Sequence, residues 1–491
     1  MNHPTGSRSG GASAPRPNFV FVMADDHAAH AIGAYGSRVN TTPGIDRLAA
    51  EGMRFDACFC TNSICSPSRA TILTGTYNHV NGVTTLSTPF DGRQQTFPKL
   101  LHDAGYQTAL IGKWHLGHGG IHDPTGLDHW TVLPDQGEYH DPTFLEADGR
   151  QVVRPGYATD LITDLALEWI DARDAERPFL ALVHHKAPHR SWEPAPRHAT
   201  LFADAPIPEP LTLRDDHAGQ ATAAAEARMR LGDLTVEDLK ELVPPGLTDD
   251  EEFAWRYQRY MQDYLRCVAA LDESVDRLVT ALDERGLGTD TVMVYTSDQG
   301  FFLGDHGWFD KRFMYEESLR MPLLVRYPRM VAAGTTTDAM VLNVDFAQTF
   351  LELAGVEPTE PMQGRSLVPL LRGETPADWR TSMYYRYWMH LDGSHGVWAH
   401  RGVRTRAHKL VHYYADGLGQ PGTGDEPRDE EWELFDLVAD PFELRSLHDD
   451  PIHAPVLADL RRELRRLARE VGDLEPDADP RRSPIRAKED A

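Results

Sequence analysis

The sequence predicts an α/β protein in two parts. A large sheet layered by helices spans residues 18–375, and a smaller antiparallel sheet with one packed helix spans 376–474. Three observations carry this. Short apolar runs alternate with amphipathic helical patterns through the first part. Several of those runs end in clustered polar residues, as the C-terminal ends of strands do in α/β sheets. Beyond about residue 376 the texture changes to short, closely spaced strand patterns.

In the first part the predicted strands are Asn18–Ala24, Gln107–Ile111, Phe179–His184, Thr291–Thr296 and Pro322–Tyr327. The predicted helices are Gly44–Glu51, Phe97–Asp103, Asp160–Asp171, Thr248–Glu284 and Val344–Leu353. Residues 200–250 are rich in Pro, Ala and Asp and read as an insertion or lid. In the second part Ser382–Trp388, Val403–Thr405, Lys409–Tyr414 and Trp432–Leu437 read as strands, and Ile452–Val471 as a helix. Residues 1–17 are rich in Gly, Ser and Pro and read as disordered. Residues 475–491 read as a loose, charged tail.

The chain has 491 residues and a net charge of −26, from 49 basic and 75 acidic side chains. Such a balance argues against nucleic acid or an anionic membrane as a partner. An anionic substrate would have to be drawn in by a local cluster of cations. No apolar run approaches the roughly 20 residues that span a bilayer. The first run, Phe19–Ala24, is too short for the core of an export signal and ends in two carboxylates, so a cytoplasmic location is expected. The four cysteines, Cys58, Cys60, Cys65 and Cys267, match neither a disulfide framework nor paired zinc-ligand spacing.

Ser63-Ile64-Cys65-Ser66-Pro67-Ser68-Arg69-Ala70-Thr71-Ile72-Leu73-Thr74-Gly75 is the most informative segment. Pro67 suits the first turn of a helix and Gly75 its end, which places Cys65 just before a helix N-terminus, where an anion is favoured. Arg69, one turn on, offers a rigid fork of donors to an oxyanion. Taken alone, the pattern also fits a buried Cys in an ordinary strand-to-helix turn.

Two strand ends are acidic: Asp25-Asp26, and Ser297-Asp298-Gln299-Gly300. Adjacent buried carboxylates repel unless a cation neutralises them. One such pair alone would read as a cap or a solvated turn. Two in one α/β chain, with a carboxamide added, read as an all-oxygen site for Ca²⁺ or Mg²⁺. Gly105-Tyr106-Gln107-Thr108-Ala109-Leu110-Ile111-Gly112-Lys113-Trp114-His115 is a strand running into Gly, then a permanent cation and a titratable ring. His185 and His189 are four apart, but Pro188 between them rules out a helical zinc pair. His189 reads as a loop His facing a substrate.

The Cys-x-Pro-x-Arg segment and the Gly105–His115 segment resemble, in order and spacing, the two signatures of the type I sulfatases of the alkaline phosphatase superfamily. The resemblance runs from Asn18 to about residue 440. It implies a mixed, mostly parallel sheet between helices. It implies that Cys65 is converted by a formylglycine-generating enzyme to formylglycine, whose hydrate is the nucleophile. Asp25, Asp26, Asp298 and Gln299 would then hold a divalent metal, usually calcium, with the modified Cys65 completing the site. Arg69 would orient that residue, Lys113 and His115 would contact sulfate and nucleophile, and Lys311 would be the second sulfate-binding lysine. His189 would be the general acid toward the leaving group, and His115 stands ready to take the proton of the hydrate's second hydroxyl. Gln299 departs from the Asn or His of many members, though a carboxamide oxygen still ligates a hard cation. Gly44 stands where members commonly carry Asn, and no function attaches to it.

The implied activity is hydrolysis of a sulfate ester, small-molecule or oligosaccharide. The texture around Trp432-Glu433-Leu434-Phe435-Asp436-Leu437 resembles sulfatases acting on N-acetylhexosamine sulfates. His395-Gly396-Val397-Trp398-Ala399-His400-Arg401-Gly402-Val403-Arg404 reads equally as a border of the substrate entrance or as a solvated sheet edge. Two other readings stay open at this level. One is a phosphonate or phosphate mono- or diester hydrolase of the same superfamily. The other is a sulfated-glycan-binding protein with Cys65 unconverted. Oligomeric state is not encoded in these patterns.

Overall fold

The computed structural model describes residues 16–473. The expected loose tail at 475–491, and all but residues 16 and 17 of the expected disordered N-terminus, lie outside the described residues. Ten strands form the large sheet. In chain order they are β1 (Asn18–Ala24), β2 (Met53–Phe55), β3 (Gln107–Lys113), β4 (His129–Leu133), β5 (Thr143–Glu146), β6 (Gln151–Val153), β7 (Phe179–His184), β8 (Thr291–Ser297), β9 (Leu323–Arg326) and β10 (Thr335–Thr337). The spatial order is β10-β2-β9-β8-β1-β7-β3-β4-β5-β6. The central strands β8, β1, β7, β3 and β4 run parallel, with Phe19 opposite Leu180 and Ala24 opposite Ser297. Antiparallel partners flank this block on both sides. The sheet is therefore mixed and mostly parallel, as expected from the sequence.

The parallel strands read as near-continuous apolar runs because both faces are covered. Along β1, Phe19, Phe21 and Met23 enter one core, while Val20, Val22 and Ala24 enter the other. Helices α1 (Pro43–Glu51), α4 (Ala158–Ala172) and α5 (Asp249–Glu284) cover the second face. Helices α2 (Cys65–Thr74), α3 (Phe97–Asp103) and α6 (Phe346–Ala354) cover the first. No helix among the described residues is long and apolar enough to cross a membrane.

The 36-residue α5 starts at a capping box. Thr248 Oγ1 accepts from Glu251 N at 3.3 Å, and the Glu251 carboxylate accepts from Thr248 N at 2.8 Å. Four acidic residues in its first turn complement the helix dipole. Further along α5, the Asp272 carboxylate accepts from Gly44 N at 3.1 Å and Ile45 N at 2.8 Å, capping α1 from outside. This close approach accounts for Gly44: a Cβ there would lie 2.4 Å from the Asp272 carbonyl oxygen. Gly44→Ala is expected to destabilise the fold by about 1–3 kcal/mol through overpacking. Gly232→Ala, at an exposed site with open space, should cost far less. Denaturant midpoints of the two variants check this, and equal shifts would refute it.

Four antiparallel strands, β11 (Ser382–Tyr387), β12 (His400–Thr405), β13 (His408–Tyr413) and β14 (Glu431–Asp436), form a meander. Helix α7 (Ala454–Val471) packs on it through Leu460, Leu464, Leu467 and Ala468, the i, i+4, i+7, i+8 stripe of a half-buried helix.

Two expectations are corrected. The helix after the Cys segment begins at Cys65 itself, with Ile64 extended as its N-cap and Ser68 N bonded to Ile64 O at 3.0 Å. Pro67 is thus its third residue, still within the turn whose N–H groups lack helical partners. Strand β3 runs on to Lys113 instead of ending at Ile111. Gly112 lies inside it at φ +104, because a Cβ there would fall 2.0 Å from the His184 carbonyl oxygen on β7. The 200–250 segment, read as an insertion or lid, is packed against the body. Ala223, Ala224, Met229 and Leu231 are buried, and Arg190 pairs with Asp238 at 2.6 Å.

Candidate active site

Because β8, β1, β7 and β3 are parallel neighbours, their C-terminal ends share one edge of the sheet. Asp25 and Asp26 follow β1 directly, and Asp298 and Gln299 follow β8. Lys113 closes β3, and His115 stands two residues on at φ +53. His189 lies in the loop after β7. Cys65 and Arg69 enter from the first turns of α2, and Lys311 follows the short strand Phe309–Asp310. Backbone bonds lock the strand ends together: Asp298 N donates to Ala24 O and Asp25 N to Ala187 O, each at 3.2 Å. His115 is half-buried; the others are at most 7% exposed.

The side chains converge. Cys65 Sγ lies 3.3 Å from Asp25 Oδ1 and 3.8 Å from Gln299 Nε2. Asp298 Oδ1 accepts from Asp26 N at 3.2 Å, and Asp298 Oδ2 accepts from Arg69 Nε at 3.0 Å. Arg69 Nη1 donates to Lys113 O at 2.9 Å. Lys113 Nζ donates to Asp25, and Lys311 Nζ to Asp26 Oδ2 at 2.8 Å. His189 Nε2 is 3.8 Å from Asp26 Oδ2, while its Nδ1–H donates to Arg190 O at 2.6 Å. Oxygens of Asp25, Asp26 and Asp298 lie within 4.8 Å of one another.

Electrostatics mark this cluster as short of positive charge. Burial would raise Asp25, but Lys113, His189, Arg69 and Lys311 hold it well below the usual range. Burial pushes Asp26 up to about 6 against Lys311, with Asp25 and Asp310 adding to the rise. Burial and Asp25 push Asp298 up to about 8 despite Arg69. Three buried carboxylates ionise together only beside further cationic charge. The Gln299 carboxamide oxygen is buried with no protein partner. Here the amide nitrogen faces Asp26 and Cys65; with the amide turned over, three carboxylates and that oxygen make a hard donor set, so these residues fit a divalent cation of the calcium or magnesium kind.

Comparison with known proteins decides the family. Residues 17–356 match the sulfatase family, and residues 304–470 match the family described as N-sulphoglucosamine sulphohydrolase, C-terminal. The chain belongs to the sulfatase family. It is thus a sulfuric ester hydrolase. This sulfatase is 44% identical over 508 residues to an N-acetylglucosamine-6-O-sulfatase of Bacteroides thetaiotaomicron, covering 94% of this chain and 88% of that one. It is 28% identical to the human N-acetylglucosamine-6-sulfatase, covering 77% of this chain and 68% of the human one. A solved structure in complex with its substrate D-glucosamine-2-N,6-O-disulfate superposes with a TM-score of 0.89 at 43% identity, covering 95% of this chain and all of that one. A phosphonate monoester hydrolase of Agrobacterium radiobacter, at 22% identity and a TM-score of 0.74 over 93% of this chain and 96% of that one, shares the fold.

In the sulfatase, His185 turns away from this cluster. Its Nε2 meets Ser274 Oγ on α5 at 3.3 Å, and burial pushes its pKa down to about 3. The sequence reading missed two groups. Gln136, in the turn after β4, contacts both Lys113 and His115. Strand β4 is not among the predicted strands, so nothing in the sequence marks its end. Beside Lys311, the Asp310 carboxylate lies 3.3 Å from Arg312 Nε and 3.4 Å from His395 Nε2, while His395 Nδ1 meets Asp392 at 2.7 Å. Lys311 and the His395 run are both singled out in the sequence, but the meeting of their neighbours is not. The 200–250 segment runs past both: Phe309 N donates to Met229 O at 2.8 Å, and Arg228 N to His395 O at 2.7 Å.

Proposed function

We propose that this sulfatase removes a 6-O-sulfate from an N-acetylglucosamine-type sugar, using formylglycine made from Cys65 and a divalent cation, calcium before magnesium. The observation that carries the chemistry is Cys65 Sγ buried beside Asp25 at the meeting point of three carboxylates and three permanent cations. The substrate rests on the relatives named above, two of them N-acetylglucosamine-6-sulfatases.

Asp25, Asp26, Asp298 and Gln299 would hold the cation, which supplies a Lewis acid for the sulfate oxygens, and the aldehyde hydrate at position 65 supplies the attacking hydroxyl. Arg69, clamped by Asp298 and Lys113 O, orients that side chain from within its own helix. Lys113 and Lys311, each paired here with a carboxylate that a cation would neutralise, bind the non-bridging sulfate oxygens. His189 Nδ1–H is held by Arg190 O, which leaves Nε2 as the nitrogen that exchanges a proton. Burial and Lys113 hold its pKa well down. An anionic sulfate ester favours the imidazolium, so on substrate binding His189 would take up from solvent the proton it delivers to the leaving oxygen. Asp310, Arg312 and His395 adjoin Lys311 and would border the bound sugar.

Protein produced with a formylglycine-generating enzyme should release sulfate from N-acetylglucosamine 6-sulfate much faster than from the 3-sulfate or from the 6-phosphate. Faster phosphate release would replace the reading with a phosphoester hydrolase. Binding of the sulfated sugar by fully converted, metal-loaded protein without turnover would replace it with a binding protein.

His189 gives a sharper test of mechanism. His189→Ala should lower kcat/KM on the sugar sulfate by about 100-fold or more, the range of general acid catalysis. On an aryl sulfate with an acidic phenol the loss should be about tenfold or less. Lys113→Ala and Lys311→Ala should damage both substrates alike. Equal losses on both substrates for His189→Ala would make His189 a sulfate-binding group.

A further inference from the structure

Among the described residues, Gln136 is the one side chain that hydrogen-bonds with both the Lys113 and the His115 side chains. It stands three residues past β4, in a turn closed by Gly137 N donating to Pro134 O at 2.8 Å. Strand β4 pairs in parallel with β3, with Leu133 opposite Lys113, so the turn is delivered alongside Lys113-Trp114-His115. A second tie holds it there: Asp135 N donates to His118 Nε2 at 2.7 Å. The Gln136 carboxamide oxygen accepts from Lys113 Nζ, and its nitrogen lies 3.2 Å from His115 Nε2.

Each end of the amide dictates the other. An ammonium has only donors, so Lys113 requires the carboxamide oxygen. The amide nitrogen, which only donates, must then face His115, whose Nε2 can only accept. The ring proton is thereby placed on Nδ1, and Nδ1 is buried with no protein partner among the described residues. Resting on the sulfatase reading above, we infer that Gln136 is a positioning residue: it uses the charge of Lys113 to hold His115 as the Nδ1–H tautomer. His115 then offers a free N–H to an oxygen of the sulfate or of the converted Cys65 side chain. In the resting site it donates instead of accepting the hydrate's proton, the role that the sequence reading gives it. A side-chain partner that sets the tautomer of a functional His is a recurring device.

Gln136→Glu tests this with little change of shape. A carboxylate accepts at both ends, so it keeps Lys113 but demands Nε2–H from His115. Ring ¹⁵N spectra of histidine-labelled, full-length protein, with the His115 signal assigned by its loss in His115→Ala, should show Nδ1–H in the wild type. In Gln136→Glu they should show Nε2–H or imidazolium. On the sugar sulfate, Gln136→Glu should lose roughly 10- to 100-fold, mostly in kcat, with a shifted pH profile. In a His115→Ala background the same change should cost less than about threefold, because Gln136 acts through His115. Gln136→Met, which removes both bonds, should lose activity with a normal thermal midpoint. An Nε2–H signal in the wild type, an unchanged tautomer in Gln136→Glu, or fully additive losses would each overturn the inference. The spectra need no turnover, so they decide it even if the sulfated sugar proves not to be the substrate.

Discussion

Cys65→Ala is expected to abolish sulfate-ester turnover, by at least about 10⁴-fold, while leaving the fold intact. The size follows from loss of the proposed nucleophile itself, the costliest single change in covalent catalysis. The fold should survive because Cys65 Sγ makes only sulfur contacts, 3.3 Å to Asp25 Oδ1 and 3.8 Å to Gln299 Nε2. The unconverted wild-type protein should be equally inactive. Burial, reinforced by Asp25, pushes the Cys65 thiol well above its usual range, so no thiolate forms near neutral pH. A thiol held neutral beside a carboxylate is a poor nucleophile, and it lacks the second hydroxyl that a hydrated aldehyde carries. Activity across preparations should therefore scale with the converted fraction of the Cys65 peptide, read by mass spectrometry. An active preparation whose Cys65 peptide is entirely thiol would overturn the mechanism.

Asp298→Asn should cost at least about 100-fold in kcat/KM, more than a change outside the metal ligands ordinarily costs. Asn keeps the shape and can still accept from Asp26 N at Oδ1, but its amide nitrogen would face the Arg69 Nε–H, so the loss combines the missing charge with the missing Arg69 bond. Asp298→Ala would be less informative. It would strand the buried Arg69 guanidinium, and breaking a buried pair costs stability by itself, about 3–5 kcal/mol. The matching experiment on the wild type is removal of the cation. Chelation should suppress turnover, and calcium or magnesium should restore it. Added cation should also raise the thermal midpoint, because it binds the folded chain alone. In Asp298→Asn that rise should shrink. Full activity in the chelated protein would refute the metal assignment, as would stoichiometric zinc held by His185 and His189.

Much of this site is legible in the sequence because its chemistry is written in local segments. The apolar run of β1 ends in two carboxylates, and that of β8 in a third with a carboxamide. In a parallel sheet such ends must share an edge, so the strand pattern alone groups Asp25, Asp26, Asp298 and Gln299. Cys65 and Arg69 lie one helical turn apart, and Lys113 and His115 two residues apart, within single short motifs. Helix α5 announces itself through its capping box, and α7 through its apolar stripe.

Tertiary structure alone decided the rest, and the reason is the same at each point: the relevant neighbours are far apart in the chain. Gln136 meets Lys113 only because β4 pairs beside β3, a register that neither segment specifies by itself. His395 reaches Asp310 only because the loop between β11 and β12 folds over the Lys311 segment. His185 and His189 look alike in sequence, yet one is turned to α5 and the other to Asp26 by the loop that carries them. Gly44 is an unremarkable helix residue until Asp272 is laid against it. By itself the sequence singled out which residues carry charge and which are proposed to ligate or attack, since those are properties of side chains and short spacings. The fold decided which of them face one another, because packing distant segments sets the hydrogen bonds, the burial and therefore the protonation of each.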